Sequence, residues 1–114
     1  MNFPSSFRTL TLKAFKGTIQ EAEGLERAEI DFSDRNIVDF NDMPQLWSLK
    51  NITRLTLSHN KIKELPPDMS NLKTLEILNL FNNSLERLPR TFRFPKLRWV
   101  AIFDDFTLNL YWFI

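Results

Sequence analysis

Residues 57–66 read LSHNKIKELP and residues 80–89 read LFNNSLERLP, one ten-residue pattern recurring at an offset of 23. A recurrence at that spacing marks a stack of similar coils, each too small to bury its own apolar face without a neighbour. Extending the alignment outward, Ile52, Leu55, Leu57, Asn60, Ile62, Leu65, Pro66 and Met69 match Leu75, Leu78, Leu80, Asn83, Leu85, Leu88, Pro89 and Phe92. The next pair, Leu72 and Pro95, breaks the pattern.

The shared formula LxxLxLxxNxLxxLPxx is that of a leucine-rich repeat. Leu55 and Leu57 flank Thr56 at the two-residue alternation of a strand, which sends the leucines inward and Thr56 outward. Asn60 and Asn83 end these strands, where an amide can both donate to and accept from backbone groups that adjacent bends leave unpaired, so a structural asparagine ladder is expected. Leu65-Pro66 and Leu88-Pro89 then carry an extended segment to the far side of the coil, with Met69 or Phe92 filling the interior. The predicted fold is an α/β leucine-rich-repeat solenoid: a short parallel-strand stack with an N-terminal helical cap and a truncated C-terminal end.

Weaker copies flank the pair. Upstream, Ile30, Phe32, Ile37 and Phe40 take the places of Leu55, Leu57, Ile62 and Leu65, with Arg35 where the asparagine belongs. Downstream, Leu97, Val100 and Ile102 open another strand, Asp105 stands at the asparagine place, and one residue is missing between Phe92 and Pro95. Leu12, Phe15, Ile19 and Ala22 fall at helical spacing within residues 11–25, which predicts an amphipathic helix over the first strand, ended by Gly24. The chain divides into residues 1–18 (divergent tail and start of the cap helix), 19–29 (cap), 30–105 (repeats) and 106–114 (apolar divergent tail). The last segment either folds back as an improvised cap or is an aggregation hazard.

The 114 residues are 43% hydrophobic and 25% charged, which suits one domain with a modest core. A net charge of +1 provides no field for collecting nucleic acid, and the nine-residue apolar end is too short to insert across a membrane. No cysteine is present, so disulfides and thiolate metal sites are excluded. The N-terminus has no uninterrupted apolar run of the kind a secretory signal needs.

No catalytic constellation, cofactor motif or metal set is visible. The two glycines rule out a phosphate-cradling loop, and His59 reads as a solvated rim residue with no local partner. The expected protein is therefore not an enzyme and needs no cofactor. What remains is the outward face of the sheet, a candidate protein-binding concave surface. Its rows across successive strands are Arg54, Ile77 and Trp99; Thr56, Asn79 and Ala101; Ser58, Phe81 and Phe103, with Glu29, Asp31 and Ser33 ahead of them on the first strand. Solvent-facing aromatics on such a face invite a partner, and Phe81, inside a well-formed repeat, is the foremost of them.

The segments IQEAEGLERAEIDFSDRNI (19–37) and LTLSHNKIKELPPDMSNLKTLEILNLFNN (55–83), with the ERLP that follows, resemble the amino-terminal part of the Ras suppressor family of intracellular leucine-rich-repeat adaptors. The resemblance covers residues 19–92. It implies a cytoplasmic adaptor at focal adhesions that binds a LIM-domain protein of the PINCH type and restrains Ras signal transduction. Members of that family carry more repeats, and the first eighteen residues and everything after Phe92 depart from the pattern. The alternatives are a truncated, non-functional fragment of such an adaptor, or a regulatory repeat region of a larger signalling protein. Self-association through the uncapped C-terminal end is a further expectation.

Overall fold

The computed structural model describes residues 5–102, with side chains from residue 14 onward. It begins with a helix, α1 (Ser5–Glu23), followed by strands β1 (Ala28–Asp31), β2 (Ile52–Thr56), β3 (Ile77–Asn79) and β4 (Trp99–Ala101). The strands form one parallel sheet in chain order. Between them the chain returns through extended segments and two turns of 3-10 helix, Pro44–Ser48 and Pro67–Asn71. The second is entered by Pro66 at φ −72° and ψ 148°, the extended geometry its ring favours.

Inward strand positions form the core. Leu55, Leu57, Leu78 and Leu80 are completely buried, and Ile30, Phe32, Val100 and Ile102 continue the same rows. Each fully buried leucine contributes about 1.5–3 kcal/mol relative to exposure. Phe15, Ile19 and Ala22 lay the buried stripe of α1 against this core, with the Phe15 ring edge-on to Phe32 at 4.7 Å between centroids. The helix spans Ser5–Glu23, so it begins six residues before the helix expected over residues 11–25; the side chain of Leu12 falls outside those described.

The helix ends beside Gly24, but not through a left-handed glycine, since neither glycine has a positive φ. Instead, the Asn51 amide Nδ2 donates to the Ala22 and Leu25 carbonyls at 2.7 and 2.6 Å. The carbonyls that a helix end leaves unpaired are thus met by the next coil, which leaves Gly24 no left-handed turn to make.

The asparagines tie the bends. Asn60 Oδ1 accepts from the Arg35 and Ile37 N–H groups at 2.9 and 3.0 Å, while its Nδ2 donates to the carbonyls of Phe32, Leu57 and Ser58. Asn83 Oδ1 accepts from Ile62 N–H at 3.1 Å, and its Nδ2 donates to the carbonyls of Leu57, Leu80 and Phe81. The residue just before each of these stations is left-handed: Asp34 (φ 56°), His59 (φ 57°) and Asn82 (φ 57°). Asp, His and Asn are among the non-glycine residues that tolerate this region best.

Two irregularities shift the frame. Leu46 and Leu49 take the interior places of Met69 and Leu72, 23 residues on, whereas Phe40 precedes Leu65 by 25, so the first coil carries two extra residues just after Phe40. Met43 and Trp47 fill that wider coil, with the Trp47 ring edge-on to Phe40 at 4.9 Å. In the third coil, one residue short, Phe94 and not Pro95 takes the place of Leu72: Leu97 N–H donates to Phe94 O as Leu75 N–H does to Leu72 O. The Phe94 ring packs edge-on against Phe92 at 5.0 Å.

Candidate protein-binding face

The strand register brings the outward residues abreast. Glu29 pairs with Arg54, Arg54 with Ile77 and Ile77 with Trp99; one row further along, Asp31, Thr56, Asn79 and Ala101 stand side by side. The alternation that buries the leucines turns these residues out: Glu29, Asp31, Arg54 and Trp99 are exposed, while Thr56, Ile77, Asn79 and Ala101 are partly covered by their neighbours. Phe81, at the rim beyond β3, keeps 39% of its surface exposed and Trp99 keeps 50%. Phe103, Asp104, Asp105, Thr107 and the apolar run to residue 114 lie outside the described residues.

One member of the rows departs from its expected place. Ser58 is buried at 6% exposure and does not face solvent. Hydrogen bonds close the bend on both sides of it, from Asp34 N–H to Ser58 O and from His59 N–H to Phe81 O, and so short a side chain does not clear the two neighbouring coils. His59 also differs from the sequence reading: its Nδ1 lies 2.7 Å from Asn82 Nδ2, and its ring stands edge-on to Phe81 at 6.0 Å. The histidine thus supports the exposed phenylalanine from the side.

The face changes character from one end to the other. Its first strand contributes Glu29 and Asp31, and its last two contribute Ile77, Asn79, Trp99 and Ala101, with Arg54 between. Asp31 is held below the ordinary carboxyl value by hydrogen bonds from the Ser33 hydroxyl and N–H, with smaller help from Arg35 and Arg54. Asn79 repeats the turn, accepting from Phe81 N–H at 3.0 Å, and so fixes the backbone that presents the aromatic ring.

A second concavity, about 170 Å³, lies at the opposite end of the strands among Glu26, Lys50, Asn51, Thr53, Thr74 and Lys96. Glu76 and Arg27 complete its lining and pair at 2.9 Å, and Glu76 also meets Arg98 at 3.7 Å. Its threonine hydroxyls are already spent on backbone carbonyls, Thr53 on Ala28 and Thr74 on Ile52. Among the described residues no group of three or more His, Asp or Glu is arranged to hold a metal ion, and no helix is long and apolar enough to cross a membrane.

Parallel strands stacked in chain order, leucines inside and asparagines at the bends after β2 and β3 agree with a match of residues 50–104 to the Leucine rich repeat family model. The fold is a leucine-rich-repeat solenoid. The chain is similar to Ras suppressor protein 1 of Mus musculus, 46% identical over 70 residues, which cover 61% of this chain and 25% of that protein. The Homo sapiens protein of the same name is 44% identical over 70 residues, with the same coverage. The chain therefore spans about a quarter of the length of these relatives. The alpha subunit of geranylgeranyl transferase type-2 from Bos taurus is 32% identical over 81 residues, 71% of this chain and 14% of that subunit.

Proposed function

We propose that this solenoid is a non-enzymatic protein-binding module and that its partner lies on the outward face of the sheet. The observation that carries this reading is the exposure of Phe81 and Trp99, 39% and 50%, on a hydrogen-bonded parallel sheet. Large aromatics left in water on a rigid surface gain most when a partner covers them. By its likeness to Ras suppressor protein 1, the module is an adaptor in Ras signal transduction that works in the cytoplasm at integrin adhesions. A LIM-domain protein of the PINCH type is the proposed partner, and Arg54, Thr56, Ile77, Asn79, Phe81 and Trp99 are the proposed contact residues.

The test is a pull-down with such a LIM-domain protein as purified bait, using the wild-type chain, Phe81→Ala and Trp99→Ala, each confirmed as folded by circular dichroism. The reading expects both variants to lose at least tenfold in affinity; full retention by both overturns it. A second reading has support in the coverage: the chain corresponds to 14% of a transferase subunit and 25% of Ras suppressor protein 1, so the same coils serve as a repeat region in larger proteins.

A further inference from the structure

The outward face has a polarity along the stack, and that polarity specifies a partner. Among the described residues its far end is apolar but for the Asn79 amide: Ile77, Ala101, the exposed ring of Trp99 and, at the rim, Phe81. Its near end is acidic: Glu29 and Asp31, both exposed, with Asp34 at the following bend. Within the described residues the Glu29 carboxylate makes no hydrogen bond or ion pair, so its charge is available to a partner. The Asp31 carboxyl is oriented by Ser33 N–H at 2.9 Å and by the Ser33 hydroxyl, and those bonds favour its ionised form. Arg54 divides the two ends, since it stands abreast of Glu29 on one side and Ile77 on the other.

Distances across a sheet are set by the strand spacing of about 4.8 Å, so the step from the β4 row to the β1 row is about 14 Å. An extended chain advances about 3.3 Å per residue, and about four residues bridge that step. Arg54 repels a cation placed two or three residues from the aromatic anchor, which leaves the β1 row as the place for a positive charge.

We propose that the face takes an extended peptide segment running across the strands, with an aromatic or large aliphatic anchor on Ile77, Phe81 and Trp99 and a lysine or arginine about four residues away on Glu29 and Asp31. The inference rests on the reading of this face as the binding surface and adds the sequence pattern that the surface selects. Charge complementarity chooses the occupant: a segment with an acid at that spacing meets two carboxylates and is rejected.

The experiment is an array of fifteen-residue peptides, each with one central Trp or Phe and one Lys, Arg or Glu placed one to seven residues from it on either side, probed with the labelled full chain. Binding should peak for Lys or Arg at a spacing of four, about fivefold above Glu at the same place, the scale of a partly exposed charge pair. Glu29→Lys, checked for an unchanged melt, should invert that preference. An array with no binding, or with binding indifferent to the sign and spacing of the charge, overturns the proposal. If Trp99→Ala and Phe81→Ala bind the selected peptides undiminished, the face itself is the wrong surface. If they lose binding while Glu29→Lys leaves the sign preference unchanged, the face stands and the proposed pattern falls.

Discussion

The first coil and the second differ at one station, and the difference shows which way the asparagine ladder works. The second coil has Asn60 there and the third has Asn83, yet the first has Arg35 and is closed all the same. Its closure comes from downstream: Asn60 accepts from Arg35 and Ile37 N–H and donates to Phe32 O, so the amide serves the coil before its own as well as its own Leu57 and Ser58 carbonyls. Asn83 does the same for Ile62 N–H and Leu57 O. A coil therefore needs its successor's asparagine more than its own. The first coil, preceded by a helix whose end Asn51 already caps, has no earlier bend to tie, so an asparagine there would have no earlier coil to serve.

That comparison can be broken where the effect is largest. Asn60→Ala orphans the Arg35 and Ile37 N–H groups and the Phe32 carbonyl, takes one of two donors from the Leu57 and Ser58 carbonyls, and, at a side chain only 8% exposed, should lower stability by about 3 kcal/mol in a urea melt. Amide exchange should rise first at Arg35 and Ile37, in the coil before the mutation. Asn83→Ala acts at a half-buried site where water replaces part of the network, and should cost about 1–2 kcal/mol by the same melt, with faster exchange at Ile62. Arg35→Asn restores the repeat formula yet should gain nothing: the melt should move by about 0.5 kcal/mol at most, in the unfavourable direction if the 5.9 Å contact of the guanidinium with the Phe15 ring is felt. A gain of 1 kcal/mol or more would show that the station serves its own coil after all.

The smallest expected effect is acid sensitivity at the head of the binding face. The Asp31 carboxyl titrates below its ordinary 3.8 in the folded chain, chiefly because it accepts from Ser33. Its bonds therefore contribute above that value and are lost as the pH falls through the lower folded-state value. Asp31→Asn should flatten the acid limb of stability measured by thermal melts between pH 5 and about pH 2, by lowering the melt slightly at neutral pH and leaving it nearly unchanged near pH 2.

Much of this architecture was legible in the residues because the offset of 23 fixes two things together. It sets which leucines turn inward, and it sets which outward residues stand abreast, so Arg54 and Ile77 share a row as the spacing says, and Trp99, 22 residues on, joins them once the one-residue deletion is counted. Trp47 and Phe94 escaped for one reason: two extra residues after Phe40 and the residue missing before Pro95 shift the frame by two and by one, and noting a change of length does not by itself name the side chain that fills the altered coil. The signal that would have found Phe94 was present, since an offset of 22 pairs it with Leu72 and pairs Leu97 with Leu75. Ser58 and His59 escaped for another reason. Their surroundings are made by residues 22 to 24 positions away in neighbouring coils, and a bend with chain on both sides is tighter than strand alternation implies.

The left-handed residues at 34, 59 and 82 bear on how the molecule can be engineered. Each sits at a bend, outside the Glu29-to-Trp99 and Asp31-to-Ala101 rows, and each spends conformational energy that glycine would spare. Asp34 stands clear of the aromatic rim, so glycine there raises thermal tolerance at the loss of one charge beside the acidic end, whereas the same exchange at His59 removes the ring that flanks Phe81. Durability and selectivity are thus tuned together at both bends, through charge at the first and through shape at the next.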